Sequence, residues 1–232
     1  MPKIIVTIPT WNEGLNIKLL IDELLALKIK DLKIVVADDN SPDGTWKIVE
    51  EMSRKNKKVH LLHRLTNKGR GLAGIDGFKK ALELGADIIV EMDADFSHHP
   101  KHIPALLSAL ENADVSIGSR FKLGGYDKRG LKRRILTKFS NSFANTILGV
   151  KLTDPNSGYR CYKRDAMSKI INNLKAPGPD IVQDVIYNCK INNLKLVEVP
   201  IDFQDRERGE TTKTFKDFIN GAVTTLKLRL SR

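Results

Sequence analysis

Residues 87–100 read Asp-Ile-Ile-Val-Glu-Met-Asp-Ala-Asp-Phe-Ser-His-His-Pro, and this stretch decides the fold. Its first five residues form a short β-branched run, its middle is acidic, and Pro100 at its end signals a helix start. Working outward, residues 4–8, 32–37 and 59–62 have the same strand character. Between the runs, residues 15–27, 44–54 and 72–84 carry apolar side chains at three- and four-residue spacing, the second stretch opened by Asp43-Gly44. Strands and helices that alternate in this way predict an α/β fold, a mostly parallel sheet flanked by helices. A fifth strand is expected at residues 115–118. The pattern then changes to a Gly- and Lys-rich loop (122–130), a helical run to about residue 148, a turn at Asp154-Pro155-Asn156 and a late strand at 195–199. No internal repeat or linker interrupts the chain, so one domain spanning residues 1–232 is expected.

The composition excludes several classes. With 41% hydrophobic and 29% charged residues, the chain has enough apolar content for a packed core and does not read as disordered. Its two cysteines, Cys161 and Cys189, lack a neighbouring Cys or His at metal-ligand spacing, which predicts buried free thiols in a reducing compartment. Residues 1–10 have neither the charged front nor the cleavage site of a signal peptide. No apolar stretch reaches the roughly 18 residues needed to span a bilayer. A cytoplasmic protein, at most peripheral on the cytoplasmic face of a membrane, is expected.

The formal charge of +11 is concentrated in two segments. Residues 120–138 hold eight Lys/Arg and one acid, residues 206–232 hold seven against three, and the remainder sums to zero. Localised basic loops with little aromatic interleaving fit phosphate groups or an anionic membrane surface, and nucleic acid is not the expected partner.

In open parallel sheets ligands bind at the carboxyl ends of strands. Here those ends read Pro9-Thr10-Trp11-Asn12-Glu13, Asp38-Asp39-Asn40-Ser41-Pro42-Asp43-Gly44 and Asp93-Ala94-Asp95, which brings three acidic loops to one edge. In extended backbone residues i and i+2 point to the same side, so Asp93 and Asp95 can face one cation. Hard carboxylate oxygens suit Mg²⁺ or Mn²⁺, with diphosphate oxygens completing the shell. His98 and His99 lack the spacing of a zinc site and are read as helix-entry or acceptor-side residues. Gly69-Arg70-Gly71-Leu72-Ala73-Gly74 satisfies the G-x-G-x-x-G pattern, but it follows the third strand instead of the first and is flanked by Arg64 and Lys68. A basic glycine loop near a diphosphate is the better account.

Further motifs recur in order: Thr45 after the second acidic loop, Asn67-Lys68-Gly69, Met92 through Pro100, Gly118-Ser119-Arg120, Val199-Pro200-Ile201 and Asp205-Arg206. Together with the strand-end loops, they resemble the dolichol-phosphate mannosyltransferase (polyprenyl-monophosphomannose synthase) group of inverting family-two glycosyltransferases, over most of the chain. The resemblance implies a GT-A-like fold, GDP-mannose as donor and a polyprenyl or dolichyl phosphate as acceptor. It implies that Pro9, Trp11 and Glu13 hold the nucleoside and Asp39 the base. Asp93, Ala94, Asp95 and Arg120 would bind the nucleotide sugar, with Asp93, Asp95 and Ser97 at the metal. Arg120, Arg133 and Arg134 would clamp the acceptor phosphate, while Arg206 and Lys213 cover the donor diphosphate. The chemistry is thus expected to rest on Asp93, Asp95, Arg120, Arg133 and Arg134. A nucleotide-sugar half (1–118), an acceptor half (119–214) and a C-terminal basic amphipathic helix (215–232) follow from the same resemblance. The sequence departs from the group's pattern in three places. Trp11 stands where Tyr is usual, Glu210-Thr211-Thr212 lengthens the segment before Lys213 by one residue, and no counterpart is expected of the transmembrane helices that follow this part in some members.

A phosphate monoester is largely dianionic near neutral pH, with a second pKa of about 6, so as a nucleophile it needs cationic positioning and no general base. Asp184 is the candidate base if the acceptor is a sugar hydroxyl. Two other readings stay open: an enzyme of this fold with another donor such as UDP-glucose or with a sugar hydroxyl acceptor, and a non-enzymatic basic binding module. Arg133, Arg134 and Lys138 also fit the wet face of an amphipathic helix whose apolar side is Leu131, Ile135, Leu136 and Phe139. Near the C-terminus Phe218, Ile219, Ala222, Val223, Leu226 and Leu230 recur at helical spacing among Lys216, Lys227, Arg229 and Arg232. That pattern suits either packing on the domain or docking on an anionic membrane, alone or with a small membrane subunit.

Overall fold

Alternation along each central strand sends side chains to opposite faces of the sheet. Ile5, Val35 and Ile89 enter one core with Phe78, Met167 and Val185, whereas Val6, Val36 and Val90 enter the other with Leu20, Val49 and Leu106. Both faces are therefore covered, which is why the central strands read as continuous β-branched runs.

The computed structural model describes residues 2–205 and 215–230. In chain order the elements are β1 (Ile4–Thr10), α1 (Ile17–Ala26), β2 (Leu32–Asp38), α2 (Thr45–Lys55), β3 (Val59–His63), α3 (Arg70–Glu83), β4 (Ile88–Glu91), α4 (Ile103–Ala109) and β5 (Val115–Ser119). They continue as β6 (Tyr126–Asp127), α5 (Leu131–Leu148), β7 (Arg160–Lys163), α6 (Arg164–Ile170), α7 (Ile181–Ile191), β8 (Leu196–Pro200), β9 (Asp202–Phe203) and α8 (Phe215–Leu230).

Among the described residues the main sheet has seven strands in the order β3-β2-β1-β4-β7-β5-β8. All neighbours are parallel except β7, which runs antiparallel to both β4 and β5. From β1 the chain first builds outward through β2 and β3 and then returns to the other side of β1 as β4. This reversal of strand order opens a crevice beyond the carboxyl ends of β1, β2 and β4, where the three acidic loops lie. A second, two-stranded sheet pairs β6 with β9 and ties the basic loop to the residues after β8.

The sequence-predicted strands and the first three helices are present. Helix α3 begins at Arg70, two residues earlier than its apolar spacing indicated, because Gly69 and Gly71 lie against the backbone of residues 176–178. A Cβ at Gly71 would meet the Ala176 carbonyl oxygen at 2.1 Å. Strand β7 and helices α6 and α7 were not anticipated. Helix α8 packs on α5 and α7, so its inner side is bound to the domain, while Val223, Leu226 and Leu230 stay exposed. Both cysteines are buried and free, and burial pushes their thiols up to about 12.

Candidate active site

The loop after β1 is held by side chains from the loop after β2. Asp38 accepts the Thr10 hydroxyl (2.9 Å), the Ser41 amide (2.8 Å) and the Ser41 hydroxyl (2.7 Å). Asp43 accepts the Gly14 amide, and the Glu13 amide donates to the Thr45 hydroxyl oxygen (both 2.9 Å). Of the neighbouring pair Asp38-Asp39, the first builds the loops and the second lines the cavity. Asp39 accepts the Gly69 amide (2.7 Å) and a guanidinium N–H of Arg64, which also binds Asp76 at 2.9 Å. Burial raises the Asp39 carboxyl above the usual range, only partly offset by the Gly69 amide and Arg64. Glu13 is buried and accepts from the Asn16 amide (2.8 Å), whereas Trp11 is 41% exposed with the Lys68 ammonium 5.5 Å from its ring.

At the end of β4, Arg70 bridges two carboxylates. One guanidinium nitrogen donates to Glu91 at 2.8 Å and another to Asp93 at 3.0 Å. Burial works against this charge, but Glu91 and Asp93 more than compensate and raise the Arg70 pKa. Asp95 accepts both the amide (3.1 Å) and the hydroxyl (2.6 Å) of Ser97, a turn that requires Phe96 at φ 63°. His98 is a buried wall residue whose Nδ1 accepts the Asp93 amide (3.1 Å) and whose ring stacks on Tyr159. His99 is a helix-entry residue, accepting the Lys101 amide at 3.2 Å. Among the described residues no group of three or more His, Cys, Asp or Glu side chains gathers at metal-binding distance. Asp93 and Asp95 nonetheless offer hard oxygens of the kind Mg²⁺ and Mn²⁺ take, and the remaining ligands would have to come from substrate and water.

Across the crevice lie the cations of the basic segment. Arg120 is buried and grips Asp154 in a fork, Nε to Oδ2 at 2.6 Å and Nη2 to Oδ1 at 2.7 Å. Burial works against the Arg120 charge, yet Asp154 raises its pKa. Arg129 makes a similar fork to Asp127 (2.9 and 2.7 Å). Both guanidinium carbons stand 4.9 Å from the ring centroid of Phe203. Arg133 on α5 forms an exposed pair with Asp205 at 2.9 Å.

One cavity of about 1260 Å³ joins these parts. Pro9, Trp11, Glu13, Asp39, Asp93, Ala94, Asp95, Ser97, Arg120 and Arg133 all line it, and so meet as the motifs suggested. Arg134 does not line it, and Arg206 and Lys213 lie outside the described residues. Asp184 is corrected from candidate base to structural residue. It is 2% exposed, does not line the cavity, and accepts the amides of Lys175 (2.7 Å) and Ala176 (3.0 Å) and the Asn188 side chain (2.8 Å). Its neighbour Gln183 reaches the cavity instead, and so does Asp180, which accepts the Thr224 hydroxyl at 2.7 Å. Arg70, Arg129 and Phe203 are wall residues beyond the expected set. The first two sit in basic segments already singled out, whereas Phe203 lies between the motifs Val199-Pro200-Ile201 and Asp205-Arg206 without belonging to either.

The far side of the cavity is apolar, formed by Leu136, Phe139, Phe143 and Ala144 of α5 with Gly221 and Ala222 of α8. Leu123, Leu131, Ile135 and Phe139 are among the most exposed apolar residues of the molecule, Leu123 at 96%.

Comparison with known proteins gives a consistent result. Residues 5–171 match the family described as glycosyl transferase family 2. Undecaprenyl-phosphate mannosyltransferase of Micrococcus luteus is 36% identical over 90% of this chain and 86% of its own length. Polyprenol monophosphomannose synthase of Mycolicibacterium smegmatis is 37% identical over 88% of this chain and 78% of its own. Dolichol-phosphate mannosyltransferase of Pyrococcus furiosus is 35% identical over 90% of this chain, which spans 58% of that longer protein. Among solved structures, Mycobacterium tuberculosis glucosyl-3-phosphoglycerate synthase, crystallised with Mn²⁺, uridine diphosphate and glucosyl-3-phosphoglycerate, superposes with a TM-score of 0.70 over 99% of this chain and 80% of that one. At 19% identity that likeness carries the fold alone.

Proposed function

The chain belongs to glycosyl transferase family 2, and on that premise we propose that it transfers a mannosyl group from GDP-mannose to a polyprenyl (dolichyl) monophosphate at a membrane surface. The relatives named above are mannosyltransferases acting on lipid phosphates and support the acceptor class. One observation carries the reading. A single cavity is lined by carboxylates (Asp39, Asp93, Asp95), guanidinium groups (Arg120, Arg129, Arg133) and apolar residues of α5 and α8. A nucleotide sugar with its metal, an anionic nucleophile and a lipid tail call for those three kinds of lining together.

In this reading Pro9, Trp11 and Glu13 frame the nucleoside, the exposed Trp11 face offers a stacking surface, and Asp39 meets the base. Asp93 and Asp95, with Ser97 orienting Asp95, would hold Mg²⁺ or Mn²⁺, which supplies charge stabilisation for the departing nucleoside diphosphate. Arg206 and Lys213 are proposed to assist on that diphosphate. Arg120 and Arg133 on the cavity wall are assigned to the acceptor phosphate together with Arg134, which does not line the cavity, and Arg129 joins Arg120 and Arg133 on the wall. Their task is to bring one dianion towards another against mutual repulsion, so that an acceptor oxygen displaces the diphosphate in line with inversion at the sugar. With Asp184 buried elsewhere, no proton acceptor is needed from it. The residue ranges 1–118, 119–214 and 215–232 are proposed as donor half, acceptor half and membrane-facing helix.

Among the described residues no helix is long and apolar enough to cross a membrane. We assign a peripheral position on the cytoplasmic face to the exposed apolar residues of α5 and α8 and the Lys/Arg beside them, with an anionic membrane or a small membrane subunit as the docking partner. The deciding experiment offers GDP-mannose and UDP-glucose in turn, with a short polyprenyl phosphate, with and without Mn²⁺, and identifies the lipid product. Mannosyl lipid from GDP-mannose is the expected result. Transfer only from UDP-glucose, or only to a free sugar hydroxyl, overturns the proposal.

A further inference from the structure

Arg120 is held from behind by a carboxylate that never meets the cavity. Asp154 is fully buried, and its four contacts are all directional. Oδ2 accepts the Arg120 amide (3.1 Å) and Nε–H (2.6 Å), while Oδ1 accepts Nη2–H (2.7 Å) and the Asn141 side-chain amide (3.1 Å). Asp154 is itself fixed by Glu198 on β8, which accepts the Thr153 amide (2.8 Å), the Thr153 hydroxyl (2.8 Å) and the Asp154 amide (2.7 Å). Asn141 lies on α5 and is 4% exposed. It also donates to the Thr153 carbonyl (3.0 Å) and accepts from the cavity residue Asn156 (2.8 Å). The helix that brings Arg133, Leu136 and Phe139 to the cavity is thus bonded, through Asn141 and Asp154, to the guanidinium of Arg120.

The arrangement answers a physical difficulty. An arginine free in this cavity would turn towards Asp93 and Asp95 or the donor diphosphate, the strongest negative charges within reach. The field of Asp93 already reaches Arg120. A bidentate fork on a buried carboxylate fixes two edges of the guanidinium and leaves Nη1, which has no hydrogen bond among the described residues.

We propose that Asp154 and Asn141 are positioning residues that aim the Nη1 edge of Arg120 at the acceptor phosphate and couple its placement to α5. The inference rests on the assignment of Arg120 to the acceptor. It makes a prediction opposite to simple charge counting, because Asp154→Asn removes one negative charge near the cavity and yet should weaken use of an anionic acceptor.

The test uses the full chain with GDP-mannose and a short polyprenyl phosphate. Asp154→Asn and Asn141→Ala are made alone and in an Arg120→Ala background. Acceptor kcat/KM, donor affinity by titration and Tm are measured. Arg120→Ala and Asp154→Asn should each lower acceptor kcat/KM about tenfold or more, and Asn141→Ala about threefold, with donor affinity unchanged. In the Arg120→Ala background both second changes should cost less than about twofold, since residues acting through one group are not additive. Adding Asp154→Asn there should raise Tm, because it removes a buried carboxylate left without its partner. A loss that persists undiminished without Arg120, or tighter acceptor use in Asp154→Asn, overturns the inference. If Arg120→Ala leaves acceptor use intact, the acceptor assignment of Arg120 fails first and takes the inference with it. Should Asp154→Asn not fold, Asn141→Ala carries the same cycle.

Discussion

Replacing Arg70 by Met should separate the structural from the catalytic share of the acidic side of the site. Glu91 is 1% exposed and Asp93 31%, and Arg70 bonds both. Removing one partner of a buried pair costs about 3–5 kcal/mol, because a desolvated charge is left behind. Arg70 is itself 24% exposed and the Tyr162 hydroxyl still donates to Glu91 at 2.8 Å, so the low end, about 3 kcal/mol, is expected. In a domain of this size each kcal/mol shifts Tm by about 2–4 °C, which gives a fall of about 6–12 °C. Urea titration near neutral pH measures the loss. Adding Glu91→Gln should return most of the lost stability, since no buried charge remains. A loss below about 1 kcal/mol would refute the claim that Arg70 compensates a buried carboxylate.

Asp95→Asn should abolish metal-dependent transfer while Tm stays within a few degrees, because the amide keeps the shape of the side chain and its oxygen can still accept the Ser97 hydroxyl; full activity at saturating donor removes the metal site from Asp95. Arg133→Ala should raise the acceptor KM with donor affinity and Tm unchanged, its pair with Asp205 being exposed and worth little; an equal loss of donor binding places Arg133 on the nucleotide. Asp127 is held below the usual carboxylate range, since the hydrogen bonds from Arg129 outweigh the effect of burial. Its contribution is therefore present above the unfolded value of 3.8 and lost as pH falls further, so Asp127→Asn should cost about 1.5–3 kcal/mol near neutrality and progressively less below about pH 4. A urea series in which the cost does not change with pH contradicts that account. Replacing exposed Leu123, Ile135 and Leu230 by Ser should reduce sedimentation with anionic liposomes at low salt without lowering Tm, and unchanged sedimentation assigns recruitment to a partner subunit.

The first half of the fold was legible because local pattern and tertiary environment agree there. Strands β1, β2 and β4 are buried on both faces, so most of their residues are apolar and polar loops bound them. The second half hides its elements. Strand β7 reads Arg160-Cys161-Tyr162-Lys163, and its antiparallel seat between β4 and β5 buries a fully inaccessible Arg160 that no alternation rule would place inside a sheet. Nη2 of Arg160 donates to the Pro155 and Val182 carbonyls (2.9 and 3.1 Å), contacts that exist only once the loop before β7 and the start of α7 have come together, while Nε and Nη1 are buried without a hydrogen-bond partner among the described residues. Phe203 was missed for a related reason. A two-residue strand has no period, and the stacking of Arg120 and Arg129 on its ring depends on the pairing of β6 with β9.

The pair Gln183-Asp184 shows where residue type alone misleads about a site. Asp184 is the more reactive side chain on paper, yet the first turn of α7 directs it inward, where three hydrogen bonds hold it and burial raises its carboxyl. Gln183 faces the cavity in its place, and an amide cannot accept a proton in the reaction. Had the acceptor been a sugar hydroxyl, a carboxylate would be required to take its proton, and Asp180, the cavity carboxylate nearest to Gln183 in the chain, already has its oxygens on the Gly178 amide and the Thr224 hydroxyl. On the proposed reading a dianionic phosphate removes that requirement and replaces it with a demand for fixed cations, the part assigned to Arg120, Arg129 and Arg133 on the cavity wall. The +7 segment and the amide at position 183 are then two consequences of one choice of nucleophile.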